Sequence, residues 1–177
     1  MRRRQPAFAI PVAPSAPAPR RVLGIDPGSV RTGWGVVDRD GNRARGVAAG
    51  VIRVKDSAPL GERLHAIHRG ICEVLEEHKP DAVALEDIFF ARYAQAALVL
   101  GHARGVALLA ATQAGLSVST YPPAVVKRAV VGSGRAEKTQ VAQLVAALLG
   151  MRELPGLDAT DALAIAITHI NVSRLGI

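Results

Sequence analysis

The chain has 177 residues, of which 49% are hydrophobic, 3% aromatic and 21% charged; this suits one domain with an aliphatic core and excludes a wholly disordered chain. A single cysteine, Cys72, excludes an intramolecular disulfide framework and a four-cysteine zinc site and suits a reducing, cytoplasmic setting, while no apolar stretch is read as reaching the ~18 residues of a membrane span. Lys and Arg number 22 against 15 Asp and Glu, a net charge of +7, which points to a polyanionic partner if the charge lies on the folded part.

Much of that charge lies at the start. Arg2, Arg3, Arg4, Arg20 and Arg21 occur with no acid among them, and five prolines fall between Pro6 and Pro19. Residues 1–20 therefore read as a disordered or polyproline-like tail, and 21–177 as the domain. A secretory signal fits poorly, because Pro6 and Pro11 cut the apolar run below the ~7 residues such a signal needs.

Val22 to Asp26 is a short apolar strand that runs into an Asp-Pro-Gly turn. Thr32 to Asp38 and Arg45 to Val54 follow as strands about a turn at residues 39–42, an antiparallel meander. Leu64, Ile67, Ile71, Val74 and Leu75 have helical spacing within 60–78, and Lys79-Pro80 ends that helix. Ala82 to Leu85 is a buried strand leading into Glu86-Asp87. Ala94 to Ala114 is helical, Leu116 to Tyr121 a strand, and residues 124–131 and 137–149 are helices about Gly132-Ser-Gly134. Asp158 to Ile170 is read as a last, amphipathic helix. Three strands followed by alternating helices and strands make an α/β fold with a mixed sheet.

Four carboxylates stand out. Asp26 and Glu86 each end an apolar strand, where α/β folds place their sites. Asp158 and Asp161 are three apart on one helix face. Gathered together they would repel unless cations bound between them, and Mg²⁺ accepts such oxygen ligands while leaving positions for phosphate oxygens. Two such ions ~3.5–4 Å apart suit phosphodiester cleavage. Singly, Asp26 could initiate a turn, Asp158 could cap its helix, and Glu86 could be a solvated strand end. Residues 88–138 hold Arg92, Arg104, Lys127, Arg128, Arg135 and Lys138 against Glu137 alone, which favours a nucleic-acid site. His65 and His68 lack an evident third ligand and read as a partly exposed helix face. Cys72 reads as a small core residue and Trp34 as a packed strand residue. Gly28 to Gly33 is glycine-rich but lacks the Gly-Lys-Ser/Thr ending of a phosphate-binding loop.

Residues 23–35, Leu-Gly-Ile-Asp-Pro-Gly-Ser-Val-Arg-Thr-Gly-Trp-Gly, closely resemble the opening motif of the RuvC family of crossover (Holliday) junction endodeoxyribonucleases. Residues 84–89, 100–106, 126–132, 136–141 and 158–169 resemble its later motifs in order and spacing. The resemblance implies an RNase H-like fold, a five-stranded mixed sheet flanked by helices. It implies a homodimer that grips a four-way DNA junction and nicks two like-polarity strands symmetrically, leaving 5′-phosphates, as a step in recombination and repair. Asp26, Glu86, Asp158 and Asp161 would bind Mg²⁺ or Mn²⁺, two ions per site. Lys127 and Lys138 would lie near the scissile phosphate, and Phe89 would stack on an unpaired base. Phe90 and Tyr93 are further aromatic candidates, and Arg92, Arg104, Arg128 and Arg135 further basic ones for DNA contact. Residues 94–114 would contribute to the dimer interface. RuvA and RuvB are the implied protein partners, and no membrane is. Asp87 reads as a solvated neighbour of Glu86. Two rivals are a non-catalytic junction binder and an actin-like or sugar-kinase-type phosphotransferase; the four acids speak against the first and the short chain against the second.

Overall fold

In the computed structural model of the chain, the described residues are 19–41, 43–87, 94–133, 137–151 and 155–174. Residues 1–18, the bulk of the expected tail, lie outside them, as do Phe89, Phe90, Arg92, Tyr93 and Arg135. The strands are β1 (Arg21–Asp26), β2 (Arg31–Asp40), β3 (Arg43–Arg53), β4 (Ala82–Glu86) and β5 (Ser117–Tyr121). The helices are α1 (Leu60–His78), α2 (Ala94–Gln113), α3 (Pro123–Val131), α4 (Lys138–Leu149) and α5 (Leu157–Arg174). The five strands form one sheet in the order β3-β2-β1-β4-β5. β1 pairs antiparallel with β2 and β2 with β3, whereas β1–β4 and β4–β5 are parallel. The expected mixed sheet and meander are both present.

Chain chemistry sets the element ends. At the end of α1, Lys79 takes a left-handed conformation, φ 45°, and its N–H bonds Leu75 O; Pro80 then cannot continue the helix. α3 starts at Pro122-Pro123 and stops at Gly132, φ 79°, where glycine carries no Cβ penalty. α4 opens with the Gln140 side chain accepting the backbone N–H of Glu137 at 3.2 Å, half of a capping box.

Strand alternation sorts side chains onto two faces. Leu23, Ile25, Val83 and Leu85 pack with Ile67 and Ile71 of α1 and Ala103 and Ala107 of α2. Val22, Val37, Ala84 and Tyr121 face Val126 of α3, Val145 of α4 and Leu163 to Ile167 of α5.

Two expectations are corrected. α5 is not amphipathic: positions 162–170 are buried without a break, because the helix lies across the sheet with α3 and α4 packed against it. And α2 is, by length and composition, apolar enough to cross a membrane, although the sequence was read as holding no such stretch. Its Ala103, Ala107, Ala110 and Ala111 are buried in the core shared with the sheet, while Leu98 and Leu109 on the same helix are exposed.

Candidate active site

Parity along the strands places the first two acids. Gly24 and Ala84 face α5, so Asp26 and Glu86, two residues on, face it as well. The parallel register matches Ile25 with Leu85 and brings the ends of β1 and β4 side by side. α5 delivers Asp158 and Asp161 from its first turns. It can come that close because β1 and β2 carry glycines beneath it. A Cβ on Gly24 would overlap Ala162 O, one on Gly33 would overlap Asp158 O, and one on Gly35 would come within 2.7 Å of the Leu163 side chain. Gly33 is also the cross-strand partner of Asp26, so one glycine couples two of the acids.

Asp26, Glu86, Asp161, Lys127 and Lys138 line one cavity of about 390 Å³, floored by Val126, Val141 and Ala164. Lys138 Nζ lies 3.1 Å from Asp161. Asp158 is not in the lining; its carboxylate lies 3.5 Å from Arg31 Nε, yet its charge still reaches Asp26. Burial, then the charges of Glu86 and Asp161, push the Asp26 carboxyl up to about 7, against the pull of Lys138. Burial and Asp161 also raise Glu86, opposed by a hydrogen bond with Asp26 and by Lys138 and Lys127. Both shifts mark acids crowded in a half-buried place with too little positive charge. Its hydrogen bond to Asp161 raises the Lys138 ammonium above the usual lysine value.

The donor set is all oxygen, which suits a hard divalent cation. The raised Asp26 is the response expected of carboxylates gathered without one. Among the described residues no three His, Cys, Asp or Glu side chains are close enough to hold an ion as they stand; Lys138 occupies Asp161, and Arg31 lies against Asp158. The residues fit a divalent metal in kind.

The remaining expected residues scatter. Arg128 is exposed on α3. Arg104 pairs with Asp87 at 3.2 Å, and the Asp87 side chain is still 40% exposed, so Asp87 is solvated, as read from the sequence, and also has a partner. Cys72 is half-buried, its thiol pushed up by burial, and it packs at the edge of the α1/α2 core. Trp34 stacks at 5.5 Å on His78 and lies over Gly50, a packed strand residue as expected. Sequence reasoning missed Arg31 and the glycine seat for α5. Arg31 is the only cation between Asp26 and Thr32, the one available signal; which atoms a glycine admits is not written locally.

A family model described as crossover junction endodeoxyribonuclease RuvC matches residues 22–169. The chain belongs to the RuvC family. It is 54% identical over 149 residues to the RuvC of Halorhodospira halophila, covering 84% of this chain and 89% of that one. It is 51% identical over 151 residues to that of Rhodopseudomonas palustris strain BisA53, covering 85% and 87%. The structure of Thermus thermophilus RuvC in complex with Holliday junction substrate matches with a TM-score of 0.84 and 42% identity, over 89% of this chain and 96% of that one. The RuvC fold is thus RNase H-like here too, and the five-stranded mixed sheet is the one anticipated. The RuvC-like motifs at 23–35 and 84–87 map onto the ends of β1 and β4 that meet at the cavity.

Proposed function

We propose that the protein resolves four-way DNA junctions by paired, symmetric, divalent-metal-dependent nicks. The observation that carries this reading is the single cavity where Asp26, Glu86 and Asp161 meet Lys127 and Lys138, in a chain whose relatives are crossover junction endodeoxyribonucleases.

Asp26, Glu86, Asp158 and Asp161 supply the oxygens for Mg²⁺ or Mn²⁺, two ions per site. These four carboxylates would hold the ions, which would supply Lewis-acid activation of water and stabilisation of charge on the phosphate. Lys138 and Lys127 at the cavity wall neutralise the scissile phosphate. Water attacks phosphorus, the bond to the 3′-oxygen breaks, and a 5′-phosphate and 3′-hydroxyl remain. As the family resemblance implies, Phe89 stacks on an unpaired junction base, with Phe90 and Tyr93 as further aromatic candidates, and Arg92, Arg128 and Arg135 contact phosphates, so binding falls steeply with salt.

Two cuts need two sites, hence a homodimer. α2 offers the surface: Leu98 and Leu109 are 65% and 52% exposed along a groove of about 460 Å³ that Gly101 and Gly105 leave open. RuvA and RuvB are the partners implied by the family resemblance, and the setting is cytoplasmic. We take 21–177 as the nuclease domain, with Arg20 bonded to it through Asp81 and Arg39.

The test is a synthetic four-way junction with Mg²⁺ or Mn²⁺. Paired symmetric nicks, lost in Asp26→Asn with junction binding retained, support the reading. Binding without cleavage by the wild type, or ATP turnover in place of cleavage, overturns it.

A further inference from the structure

Asp87 follows Glu86 at the end of β4, and its contacts include one from the backbone and one from the side chain. Its backbone N–H donates to Tyr121 O at 2.9 Å, extending the β4–β5 ladder by one bond. Its carboxylate takes Arg104 Nη2 at 3.2 Å. Arg104 reaches it from α2, whose Ala103 and Ala107 are fully buried in the same core as Leu85 of β4. The helix is therefore a fixed base for the guanidinium. The Arg104 side chain is only 21% exposed, against 64% for Arg31 beside Asp158, and its Nε is buried with no hydrogen-bond partner among the described residues. A phosphate contact calls for a cation held in solvent; this one is turned toward the protein.

We propose that Arg104 is a positioning residue: it holds Asp87, and through the shared backbone it sets the direction in which Glu86 enters the cavity. This rests on the nuclease reading above. It replaces the DNA contact expected of Arg104 from sequence. The basic stripe between the second and third acidic segments thus divides by role. Lys127 and Lys138 face the cavity, while Arg104 works from behind β4. An anchor one residue from a carboxylate that binds metal is an outer-shell support, a class whose loss costs ~10–100-fold in affinity or activity.

The test compares full-length Arg104→Gln, Arg104→Lys, Asp87→Asn and the double variant Arg104→Gln/Asp87→Asn. Three quantities are read: the dissociation constant for a four-way junction without divalent ions, with its salt slope; the single-turnover cleavage rate at saturating enzyme; and the Mg²⁺ concentration giving half that rate. The expected result is a rate about tenfold lower in Arg104→Gln and in Asp87→Asn, with a higher Mg²⁺ midpoint and unchanged junction affinity and salt slope. Arg104→Lys restores part of the rate, because it keeps the charge without the planar fork. The double variant is no slower than either single one, since all remove one contact.

A salt slope reduced by about one in Arg104→Gln, with Asp87→Asn like wild type, makes Arg104 a phosphate contact and overturns the proposal. Should Arg104→Gln fail to fold, Asp87→Asn decides alone: a wild-type rate and Mg²⁺ midpoint there overturn it too. A wild type that does not cut junctions removes the nuclease reading itself; a wild type that cuts, with variants that cut equally well, removes only the role of Arg104.

Discussion

β1 opens with Arg21 set against Asp38 and closes with Asp26 set beside Glu86 and Asp161. At the opening end the two side chains are cross-strand partners and form a two-pronged pair, Nε to Oδ1 at 2.6 Å and Nη2 to Oδ2 at 2.8 Å. A third guanidinium nitrogen reaches His78 O at 2.9 Å. Asp81 takes the backbone N–H groups of Arg20 and Arg21, both at 2.8 Å. The hydrogen bond from Arg21 holds the Asp38 carboxyl below the usual aspartate range. At the closing end, burial and neighbouring acids push Asp26 up to about 7. The same residue type on the same pair of strands is thus shifted in opposite directions. The lesson is one of supply: an acid given its own fork of donors is part of the scaffold, whereas acids that outnumber their cations are held ready for a charge brought from outside.

The contrast can be broken by mutation, and the largest effect belongs to the closing end. Asp26→Asn is expected to lower single-turnover junction cleavage by on the order of 10³-fold, while the melting temperature without divalent ions holds or rises, because a crowded carboxylate has gone. Mg²⁺ should raise the wild-type melting temperature, as any ligand of the native state does, and raise that of Asp26→Asn less. A clear loss of stability in the metal-free variant would make Asp26 a structural acid like Asp38.

Next is Lys138→Ala, with an expected loss of about 10²-fold in cleavage rate. Lys138 is exposed, so melting should shift little; a folding defect without a rate defect would assign it to the scaffold.

Gly33→Ala sharpens the comparison by attacking the seat between the acids. Its Cβ would overlap Asp158 O, so α5 must shift; overpacking of this kind costs ~1–3 kcal/mol. Denaturant unfolding measures that cost, and the Mg²⁺ midpoint should rise with it. At the opening end Gly41 has φ +57° and open space around it, so Gly41→Ala should cost ~1 kcal/mol through backbone strain alone, with cleavage untouched.

The smallest effect is Arg21→Ala. The pair is about one-third exposed, 35% and 32%, so solvent screening limits the loss to ~1 kcal/mol, with cleavage per folded molecule unchanged. The pH dependence has a definite sign. Asp38 has a lowered native value, so its contribution is complete above the ordinary aspartate range near pH 4 and is lost as pH falls through the native value. His169, which lies 2.7 Å from the Tyr121 hydroxyl, is lowered by burial; its contribution is complete above about pH 6.5 and is likewise lost on acidification. Both weaken the fold in acid, and Arg21→Ala should flatten only the branch below about pH 4 in a series of denaturant titrations.

Local periodicity was enough to find every described strand and helix within a few residues, because a two-residue or 3.6-residue repeat and its Gly or Pro stops are contained in one stretch of chain. It also sufficed to mark Asp26 and Glu86 as strand-end acids, whereas the tie of their motifs to the RuvC family rests on resemblance and not on periodicity. It failed where burial is set by distant partners. The last helix was misread because its outer face is covered by α3 and α4, and the membrane-like composition of α2 was overlooked because Arg104 interrupts it. That Asp26, Glu86 and Asp161 line one cavity follows from the parallel pairing of β1 with β4 and from glycines that let α5 touch the sheet, both contacts between residues far apart in the chain. Whether a charge belongs to the scaffold or to the site was decided there too, since Arg104 and Lys138 are alike as letters, and only their neighbours, Asp87 and Asp161, separate them.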